Sequence, residues 1–371
     1  MKIAILGTKG IPNQYGGFEQ FAEYLSIGLA QRGHDLTVYA PHFHSYQEKL
    51  LAGVKIKHVY CPEKSIGGAA HFIYDYLCLR DAAGENFDII YEAGYASCAL
   101  FIRFFKGKRF THRIITNMDG MEWKRSKWNS WVQYITKKSE QIAVRQSDYL
   151  VADNLGIKQY IQDTYKTDSV YLPYGADTVD HYDAAIPERY SLKAGEYFLV
   201  IARLEPENNV ETVIKAYHAS KQNIPLVIIG GLGTKHAKEL VKYSAVNPNI
   251  IFLGGVYDIT ALNSLRHFCK AYLHGHSVGG TNPSLLEAMA CESFIIAHGN
   301  EFNRDVLQGN ALFFMDEQQL LSEFLSLDAT LAEHKAKFTA NNLDQIRTKY
   351  DWNKVVDLHE VFFKSIVERR G

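Results

Sequence analysis

Short apolar runs that alternate with helical segments, twice over, constrain this chain more than any other feature. In the first half the runs lie at residues 3–6, 36–40, 88–91, 114–116 and 149–152. After an interruption they resume at residues 197–201, 226–229, 250–253, 271–273 and 294–296. Such runs, separated by helical stretches, are typical of parallel strands that are buried on both faces. The sequence therefore predicts an α/β protein with two Rossmann-like, doubly wound parallel sheets.

The interruption between Pro173 and Pro187 contains a glycine and several aspartates, which is typical of a linker between domains. We therefore expect an N-terminal domain over residues 1–178 and a C-terminal domain over residues 188–350. Residues 351–371 carry an apolar stripe at helical spacing and predict a separate C-terminal helix. A length of 371 residues agrees with two domains of this size.

The composition excludes several classes of function. A formal net charge of -1 argues against a nucleic-acid-binding protein, which would need a basic face. Five cysteines are scattered without a C-x-x-C pair, which is typical of a reducing compartment. The apolar run that follows Lys2 is too short for a signal sequence or a membrane span. We therefore expect a cytoplasmic protein without a helical anchor and without a nucleic acid partner.

A glycine-containing loop, residues 7–17, joins the first strand to the first helix. Gly16 and Gly17 lie just before that helix, where backbone N–H groups and the helix dipole favour an anion. The loop predicts a phosphate site, although a tight turn needed only for packing explains the glycines equally well. Glu19 in the first helical turn fits either a contact with an acceptor substrate or a favourable interaction with the helix dipole.

The strongest local signal is the segment 276–290, which follows a strand of the second half. Asn282 and Pro283 predict a well-defined helix start, and Gly279 and Gly280 precede it. Backbone N–H groups there are again suited to an anion. Glu287 lies in an otherwise apolar part of the predicted helix, which favours a ligand hydroxyl over the alternative, an ion pair with a neighbouring cation.

Two further polar residues follow predicted strands. Arg203 stands where a guanidinium group binds a diphosphate through two hydrogen bonds, although a surface ion pair with Glu205 or Glu207 is the alternative. Asp119 is a candidate for sugar contact or proton transfer, and an Asx-type turn before Gly120 is its alternative.

The segment 123–128 mixes aromatic and basic residues, including Trp123, Lys124 and Arg125. This composition suits a sugar face, a lipid pyrophosphate or a membrane surface, and a solvated helix with packed tryptophans explains it as well. The chain contains no D-x-D sequence and no histidine pair with companion ligands at metal spacing. We therefore expect no metal ion in the site.

Taken together, the glycine loop, Arg203-Leu-Glu-Pro-Glu207 and Leu285-Leu-Glu-Ala-Met-Ala290 resemble the family 4 retaining glycosyltransferases of GT-B fold. The resemblance spans nearly the whole chain. More narrowly, the chain is similar to the bacterial rhamnosyltransferase-type branch at residues 10–12, 15–19, 119–125, 202–209 and 279–284. Members of that branch transfer L-rhamnose from dTDP-L-rhamnose to lipid-linked acceptors of cell-surface polysaccharides.

The resemblance implies a metal-independent retaining glycosyltransferase with a nucleotide-sugar co-substrate, no other cofactor, and two domains that face a shared cleft. Its acceptor would be a saccharide linked to polyprenyl diphosphate, reached by peripheral contact with the inner face of the plasma membrane. The alternatives are a GT-B transferase with another nucleotide sugar, a nucleotide-sugar epimerase, and a catalytically silent nucleotide-sugar-binding protein.

Position by position, the resemblance assigns the diphosphate to Arg203 and the nucleotide ribose to Glu287. It implies that both residues are catalytic, together with Asp119. The implied donor-binding residues are Gly16, Gly17, Arg203, Asn208, Gly279, Gly280, Thr281, Asn282 and Glu287. The implied acceptor-binding residues are Tyr15, Glu19, Trp123, Lys124 and Arg125.

Two residues depart from the family pattern. Gly279 stands where relatives have the first glutamate of a pair, which would suit a 6-deoxy sugar that is bound differently. Asn208 stands where a lysine usually helps to hold the diphosphate. Either donor binding is weaker in this chain, or another cation replaces that lysine.

Overall fold

The computed structural model describes residues 1–14, 16–107, 110–118, 120–126 and 128–369. Two of the predicted site residues, Tyr15 and Asp119, lie outside these ranges. The chain forms two compact units. The first unit comprises Met1–Lys124, Trp128–Tyr174 and Trp352–Gly371, and the second comprises Arg125–Lys127 and Gly175–Asp351.

Over the described ranges, the sheet of the first unit has eight strands in the order β3-β4-β2-β1-β5-β6-β7-β8. The strands are β1 (Lys2–Leu6), β2 (Asp35–Pro41), β3 (Leu50–Leu51), β4 (Val54–Val59), β5 (Ile89–Glu92), β6 (Arg113–Asn117), β7 (Tyr149–Ala152) and β8 (Val170–Tyr171). All neighbouring strands are parallel except β3 and β4. The first strand, β1, lies between β2 and β5, with Ile3 opposite Leu36 and Ile89.

The helices of the first unit are α1 (Gly17–Gln31), α2 (Glu63–Ile66), α3 (Ala70–Ala83), α4 (Ala99–Ile102), α5 (Ser130–Gln146), α6 (Leu155–Tyr165) and α14 (Trp352–Glu368). The C-terminal helix α14 packs on α1. Trp352 stacks on Tyr24 with ring centroids 4.6 Å apart, and Arg32 Nη2 lies 2.6 Å from Asp357 Oδ1. Gly28 permits this approach, because a Cβ there would lie 2.7 Å from Val356 Cγ2.

In the part of the second unit that the structure describes, six parallel strands have the order β11-β10-β9-β12-β13-β14. The strands are β9 (Phe198–Ile201), β10 (Leu226–Ile229), β11 (Ile250–Gly254), β12 (Ala271–His274), β13 (Ile295–His298) and β14 (Leu312–Phe314). The helices are α7 (Ile186–Arg189), α8 (Val210–Ser220), α9 (Lys235–Ser244), α10 (Ile259–Phe268), α11 (Pro283–Ala290), α12 (Glu301–Leu307) and α13 (Glu317–Gln345).

The strands owe their position to apolar residues on both of their faces. Residues 3–6 of β1 and residues 198–200 of β9 are completely or almost completely buried. In the second unit, helices α8 and α13 cover one face of the sheet, where Tyr217 and Phe324 pack against Phe198. This two-sided burial explains why the strands appear in the sequence as short apolar runs.

The prediction of two parallel, doubly wound α/β sheets is confirmed. The strands that the apolar runs did not predict are β3, β4, β8 and β14. They lie toward the outer edges of their sheets, where alternating or very short runs give a weak sequence signal. Among the described residues, no helix is long and apolar enough to span a membrane.

Candidate active site

In the second unit, the loops that follow β9 and β12 lie against each other at the carboxyl ends of these neighbouring strands. Gly275 follows β12, and a Cβ there would lie 2.3 Å from the carbonyl oxygen of Asn208 in the β9 loop. The Asn209 side chain donates a hydrogen bond to the Gly275 carbonyl oxygen at 2.8 Å. In open α/β sheets this edge is where ligands bind. The two loops therefore form one candidate site.

Arg203 belongs to the β9 loop, and its side chain is exposed. Neither Glu205 nor Glu207 forms an ion pair with it, and no other carboxylate does so among the residues that the structure describes. The Asn208 side chain instead donates a hydrogen bond to the Arg203 carbonyl oxygen at 2.7 Å. Asn208 thus fixes the backbone at Arg203 from inside the loop, and its own side chain is buried.

Glu207 of the same loop is buried and pairs with Arg125, whose Nη1 lies 3.6 Å from Glu207 Oε1. Ser126 Oγ donates a weaker hydrogen bond to Glu207 Oε2 at 3.4 Å. These contacts attach Arg125 to the second unit, although its sequence neighbour Lys124 belongs to the first unit. The structure thus places Arg125, which the resemblance assigned to the acceptor, beside the loop of Arg203.

The β12 loop leads into helix α11. Ser277 donates hydrogen bonds from its backbone N at 3.0 Å and from its Oγ at 2.8 Å to the Glu207 carbonyl oxygen. Gly279 has φ +125, a conformation that favours glycine. Asn282 caps the helix by accepting a hydrogen bond from Ser284 N at 3.0 Å, and Pro283 is the first helical residue. The predicted helix start is therefore confirmed, with Gly279, Gly280 and Thr281 directly before it.

Two histidines lie under this loop. His274 ends β12 and is completely buried, and His276 stacks on it with ring centroids 4.4 Å apart. Burial lowers the pKa of His274 well below its ordinary value. Burial, followed by the positive charges of Arg203 and Arg125, lowers the pKa of His276 to about 3. Both rings are therefore neutral at pH 7, and His276 lies within the electrostatic reach of both arginines.

Glu287 of α11 forms an ion pair with Arg266 of α10 through its Oε2. The Arg266 side chain is fully buried, whereas 22% of the Glu287 side chain is exposed. The pair with a neighbouring cation, the alternative that the sequence left open, is thus present. It holds the carboxylate in place, and the assignment of Glu287 to the nucleotide ribose remains a prediction.

In the first unit, the loop between β1 and α1 precedes Gly16 and Gly17, which stand at the start of α1. Glu19 is buried, and its Oε1 accepts a hydrogen bond from the backbone N–H of Lys9 at 2.8 Å. The Asn13 side chain accepts a hydrogen bond from Gly16 N at 3.2 Å. Glu19 therefore supports the loop itself, which is a structural role that the sequence analysis did not consider.

A buried carboxyl group, Glu92, lies next to this loop, and the charge of a second one, Asp75, acts on it. Glu92 ends β5, and a Cβ at Gly7 would lie 3.2 Å from its Oε2. Asp75 of α3 accepts a hydrogen bond from Ser97 Oγ at 2.5 Å. Burial raises the pKa of Asp75 to about 7. Burial, and then the charge of Asp75, raise the pKa of Glu92 well above its ordinary value.

Trp123 is held inside the first unit by a polar network around Glu140. Its Nε1 donates a hydrogen bond to Glu140 Oε2 at 2.9 Å, and Lys137 Nζ lies 4.3 Å from the centre of its ring. Lys124 Nζ lies 5.5 Å from the same ring. Aromatic residues with larger exposed fractions occur at Trp131 and Tyr134 of α5.

Within the described ranges, no group of three or more histidine, cysteine, aspartate or glutamate side chains comes together as a metal site would require. The groups that the loops of the second unit bring together are cationic and polar. They comprise an exposed arginine, a second arginine attached to the same loop, neutral histidines and the N-terminus of α11.

Sequence reasoning missed Arg266, Glu207 and His276 as contributors to this arrangement. Arg266 had a weak signal, since it is a charged residue in the last turn of a helix that leads into a buried strand. Glu207 and His276 had no signal beyond their position in loops that follow strands, because their contacts join segments that are distant in sequence.

Comparison with known proteins adds independent information. Residues 1–177 match the model of a family described as a domain of unknown function (DUF1972). Residues 185–330 match the model of glycosyl transferases group 1. Among curated protein sequences, no match was found.

Several solved structures share the fold over almost the whole chain. Sucrose-phosphate synthase from Thermosynechococcus elongatus has a TM-score of 0.81 at 13% identity, over 99% of this chain and 99% of that one. HepE from Anabaena, solved with UDP-glucose, has a TM-score of 0.74 at 13% identity, over 97% and 98% of the chains. The α,α-trehalose 6-phosphate synthase from Burkholderia multivorans has a TM-score of 0.75 at 11% identity, over 100% and 99%.

At these identities the structural likeness concerns the fold, whereas the family model identifies the domain that carries the Arg203 and Glu287 loops. Residues 185–330 are a glycosyl transferases group 1 domain, and the protein is a glycosyltransferase of GT-B fold.

Proposed function

We propose that the protein transfers L-rhamnose from dTDP-L-rhamnose to a saccharide acceptor, with retention of anomeric configuration and without a metal ion. Arg203 is the observation that carries the donor part of this proposal. It is an exposed guanidinium group at the carboxyl end of β9, it has no ion pair among the described residues, and Asn208 fixes its backbone. An arginine in this position is suited to a diphosphate through paired hydrogen bonds.

The transfer breaks the bond between the anomeric carbon of the sugar and the diphosphate oxygen. It forms a bond from that carbon to the acceptor oxygen on the same face, and the departing diphosphate takes the proton of the acceptor hydroxyl. Arg203 and the N-terminus of α11 stabilise the negative charge that develops on the leaving group. Well-placed donors of this kind contribute about 3 kcal/mol each to such a transition state.

A nucleotide-sugar donor is also supported by the structural similarity to HepE, which was solved with UDP-glucose. The choice of a 6-deoxy sugar depends on the resemblance to the rhamnosyltransferase-type branch and on Gly279. This glycine leaves no side chain to contact a sugar hydroxyl, and a Cβ at this position would meet no atom of the described residues within 4 Å. The position therefore has room that a donor with different hydroxyls uses.

The acceptor is proposed to be linked to polyprenyl diphosphate at the membrane surface. Helix α5 presents Trp131 and Tyr134 to solvent. Trp131 is 68% exposed and Tyr134 is 56% exposed. Their rings stack with centroids 6.2 Å apart, and Lys138 Nζ lies 5.6 Å from the Tyr134 ring. Aromatic residues beside lysines are typical of the interface with an anionic membrane. The exposed pair on α5, rather than Trp123, is therefore the proposed contact.

Release of free nucleoside diphosphate from dTDP-, UDP- and GDP-sugars in the presence of EDTA tests the proposal. We expect turnover with dTDP-L-rhamnose and a loss of about 100-fold or more in kcat/KM for Arg203→Ala. Glu287→Gln should weaken donor binding as well, and Lys193→Ala, at an exposed lysine that precedes β9, serves as the matched control.

Preference for UDP-glucose or GDP-mannose would contradict the rhamnose assignment alone. Binding of a donor without turnover in the presence of acceptor saccharides would favour a silent binding protein. Wild-type protein that binds none of the donors would contradict the transferase mechanism as proposed.

A further inference from the structure

We propose that Arg125 and His276 complete the diphosphate-binding site with Arg203, and that Arg125 is the second cation in place of the lysine that relatives have at position 208. This inference rests on the proposed nucleotide-sugar donor. It gives Arg125 a binding role in the second unit. The short segment Arg125–Lys127 belongs to that unit, although the residues on either side of it belong to the first unit.

Position 208 itself supplies no positive charge. The Asn208 side chain is buried, and its Nδ2 donates to the Arg203 carbonyl oxygen at 2.7 Å. A side chain engaged in this way holds the loop and is not directed to a ligand. A second cation that binds the donor diphosphate beside Arg203 therefore has to come from another segment of the chain.

Arg125 is held where such a cation is needed. Its Nη1 lies 3.6 Å from Glu207 Oε1, and only 12% of its side chain is exposed. Glu207 is four residues from Arg203 in the same loop, and its carbonyl oxygen accepts both hydrogen bonds from Ser277. The ion pair therefore positions the Arg125 guanidinium group against both loops of the candidate site.

His276 connects the two arginines electrostatically. The positive charges of Arg203 and Arg125 both act on its imidazole ring. Its Nδ1 is buried and has no hydrogen-bond partner among the described residues. The ring is fixed from below by stacking on His274, and the His276 carbonyl oxygen accepts hydrogen bonds from Asn300 and Asn303 at 2.8 and 2.9 Å.

The charges around this ring explain the class of ligand. The charges of Arg203 and Arg125 both act on His276, and Glu207 of the β9 loop is the carboxylate that pairs with Arg125. A diphosphate carries at least two negative charges at neutral pH, which compensate the arginines. The neutral imidazole donates a hydrogen bond to a phosphate oxygen without the cost of burying another charge.

Calorimetric binding of dTDP, UDP and GDP, each compared with its nucleoside monophosphate, tests the inference. We expect Arg125→Ala to weaken binding of the preferred diphosphate by about 10-fold to 100-fold, with a smaller effect on the monophosphate. The diphosphate affinity of Arg125→Lys should lie between those of wild type and Arg125→Ala, because lysine keeps the charge but not the planar fork of the guanidinium group. His276→Ala should weaken binding by about 10-fold, and His276→Gln, which keeps a donor, should recover part of it.

Glu207→Gln separates the charge of Arg125 from its ion pair, because the amide oxygen can still accept a hydrogen bond from Arg125 and the Arg125 cation is kept. We expect this variant to lose less diphosphate affinity than Arg125→Ala, since only the positioning of the cation is weakened. An equal loss in Glu207→Gln and Arg125→Ala would mean that the pair only holds the loop, and it would overturn the inference.

The inference and the proposed function fail in different ways. Arg125→Ala with wild-type affinity, beside a strongly weakened Arg203→Ala, would overturn the inference and leave the donor site intact. Wild-type protein that binds no nucleoside diphosphate would overturn both. Thermal unfolding of each variant, compared with Lys193→Ala, separates a loss of binding from a loss of folding.

Discussion

Glu92 of the first unit and His274 of the second stand at equivalent places in their sheets. Glu92 ends β5, the neighbour of β1, and His274 ends β12, the neighbour of β9. Both side chains are completely buried, and neither forms an N–H or O–H hydrogen bond with the described residues. The same topology therefore buries an acid in one unit and a base in the other.

The neighbours of Glu92 and His274 give the two units different chemical properties, although their sheets have the same topology at this place. Beside Glu92 lies Asp75, and burial raises the pKa of both carboxyl groups. Beside His274 lie His276 and, through it, Arg203 and Arg125. The loops of the second unit thus collect positive charge, which suits the proposed anionic donor, whereas the first unit buries two carboxyl groups and places one of them, Glu92, next to its glycine loop.

The largest expected effect concerns Arg266, the buried cation of the second unit. Arg266→Met removes the buried cation that pairs with Glu287, and we expect the unit to lose about 3–5 kcal/mol of stability, because removing one partner of a buried pair is strongly destabilising. Hydrogen exchange of second-unit peptides measures this loss. Lys193→Met removes an exposed ion pair and should cost less than about 1 kcal/mol.

The double variant Arg266→Met/Glu287→Leu sharpens this result, since apolar residues then replace both charges of the pair. We expect most of the stability to return. A loss in the double variant as large as in Arg266→Met would show that packing, and not charge, limits this position.

A second test compares the glycines that follow the two equivalent strands. Gly275→Ala should destabilise the second unit by about 1–3 kcal/mol and displace the Arg203 loop, because the added Cβ would lie 2.3 Å from the Asn208 carbonyl oxygen. Gly94→Ala in the first unit should cost less than about 1 kcal/mol, because its Cβ would meet the Phe18 ring at 3.4 Å, an ordinary contact. Denaturant unfolding followed by peptide hydrogen exchange distinguishes the units, and similar costs would break the comparison.

A third test uses the raised pKa of Asp75. A carboxyl group with a raised pKa in the folded state stabilises the protein at low pH, and this contribution is lost as the pH rises between 3.8 and about 7. Asp75→Asn keeps the acceptor for Ser97 and removes the titration. We therefore expect first-unit stability to depend less on pH in this window than in the wild type, with a gain above pH 7, as measured by hydrogen exchange across that range.

The smallest effect on stability is expected for His274. Its contribution to the pH dependence of stability has the opposite sign to that of Asp75. A histidine with a lowered pKa in the folded state destabilises the protein as the pH falls below 6.5, because the unfolded state then binds more protons. His274→Phe keeps the ring and should reduce the acid-induced loss in the second unit by at most about 1.4 kcal/mol per pH unit. Unchanged acid sensitivity would place the responsible group elsewhere.

The sequence predicted the central strands closely because each is an apolar run buried on both faces. Strands at or near the sheet edges, such as β4 and β14, were missed, because β4 alternates apolar and polar residues and β14 has only three residues. The start of α11 at Asn282 and Pro283 was predicted because capping depends on residues that are adjacent in sequence. The pair of Arg266 with Glu287 was not, because its members belong to different helices.

The sequence by itself determined the α/β class, the two sheets, the glycine-containing loops after their strands, and the position of Arg203 at a strand end. These follow from local periodicity and from the rule that parallel sheets present their ligands at one edge. Only the tertiary structure decided that Arg125 joins the loop of Arg203, that Asn208 faces inward, and that an acid and a base end equivalent strands. Burial and long-range charge set these contacts, and neither is encoded in the spacing of residues along the chain.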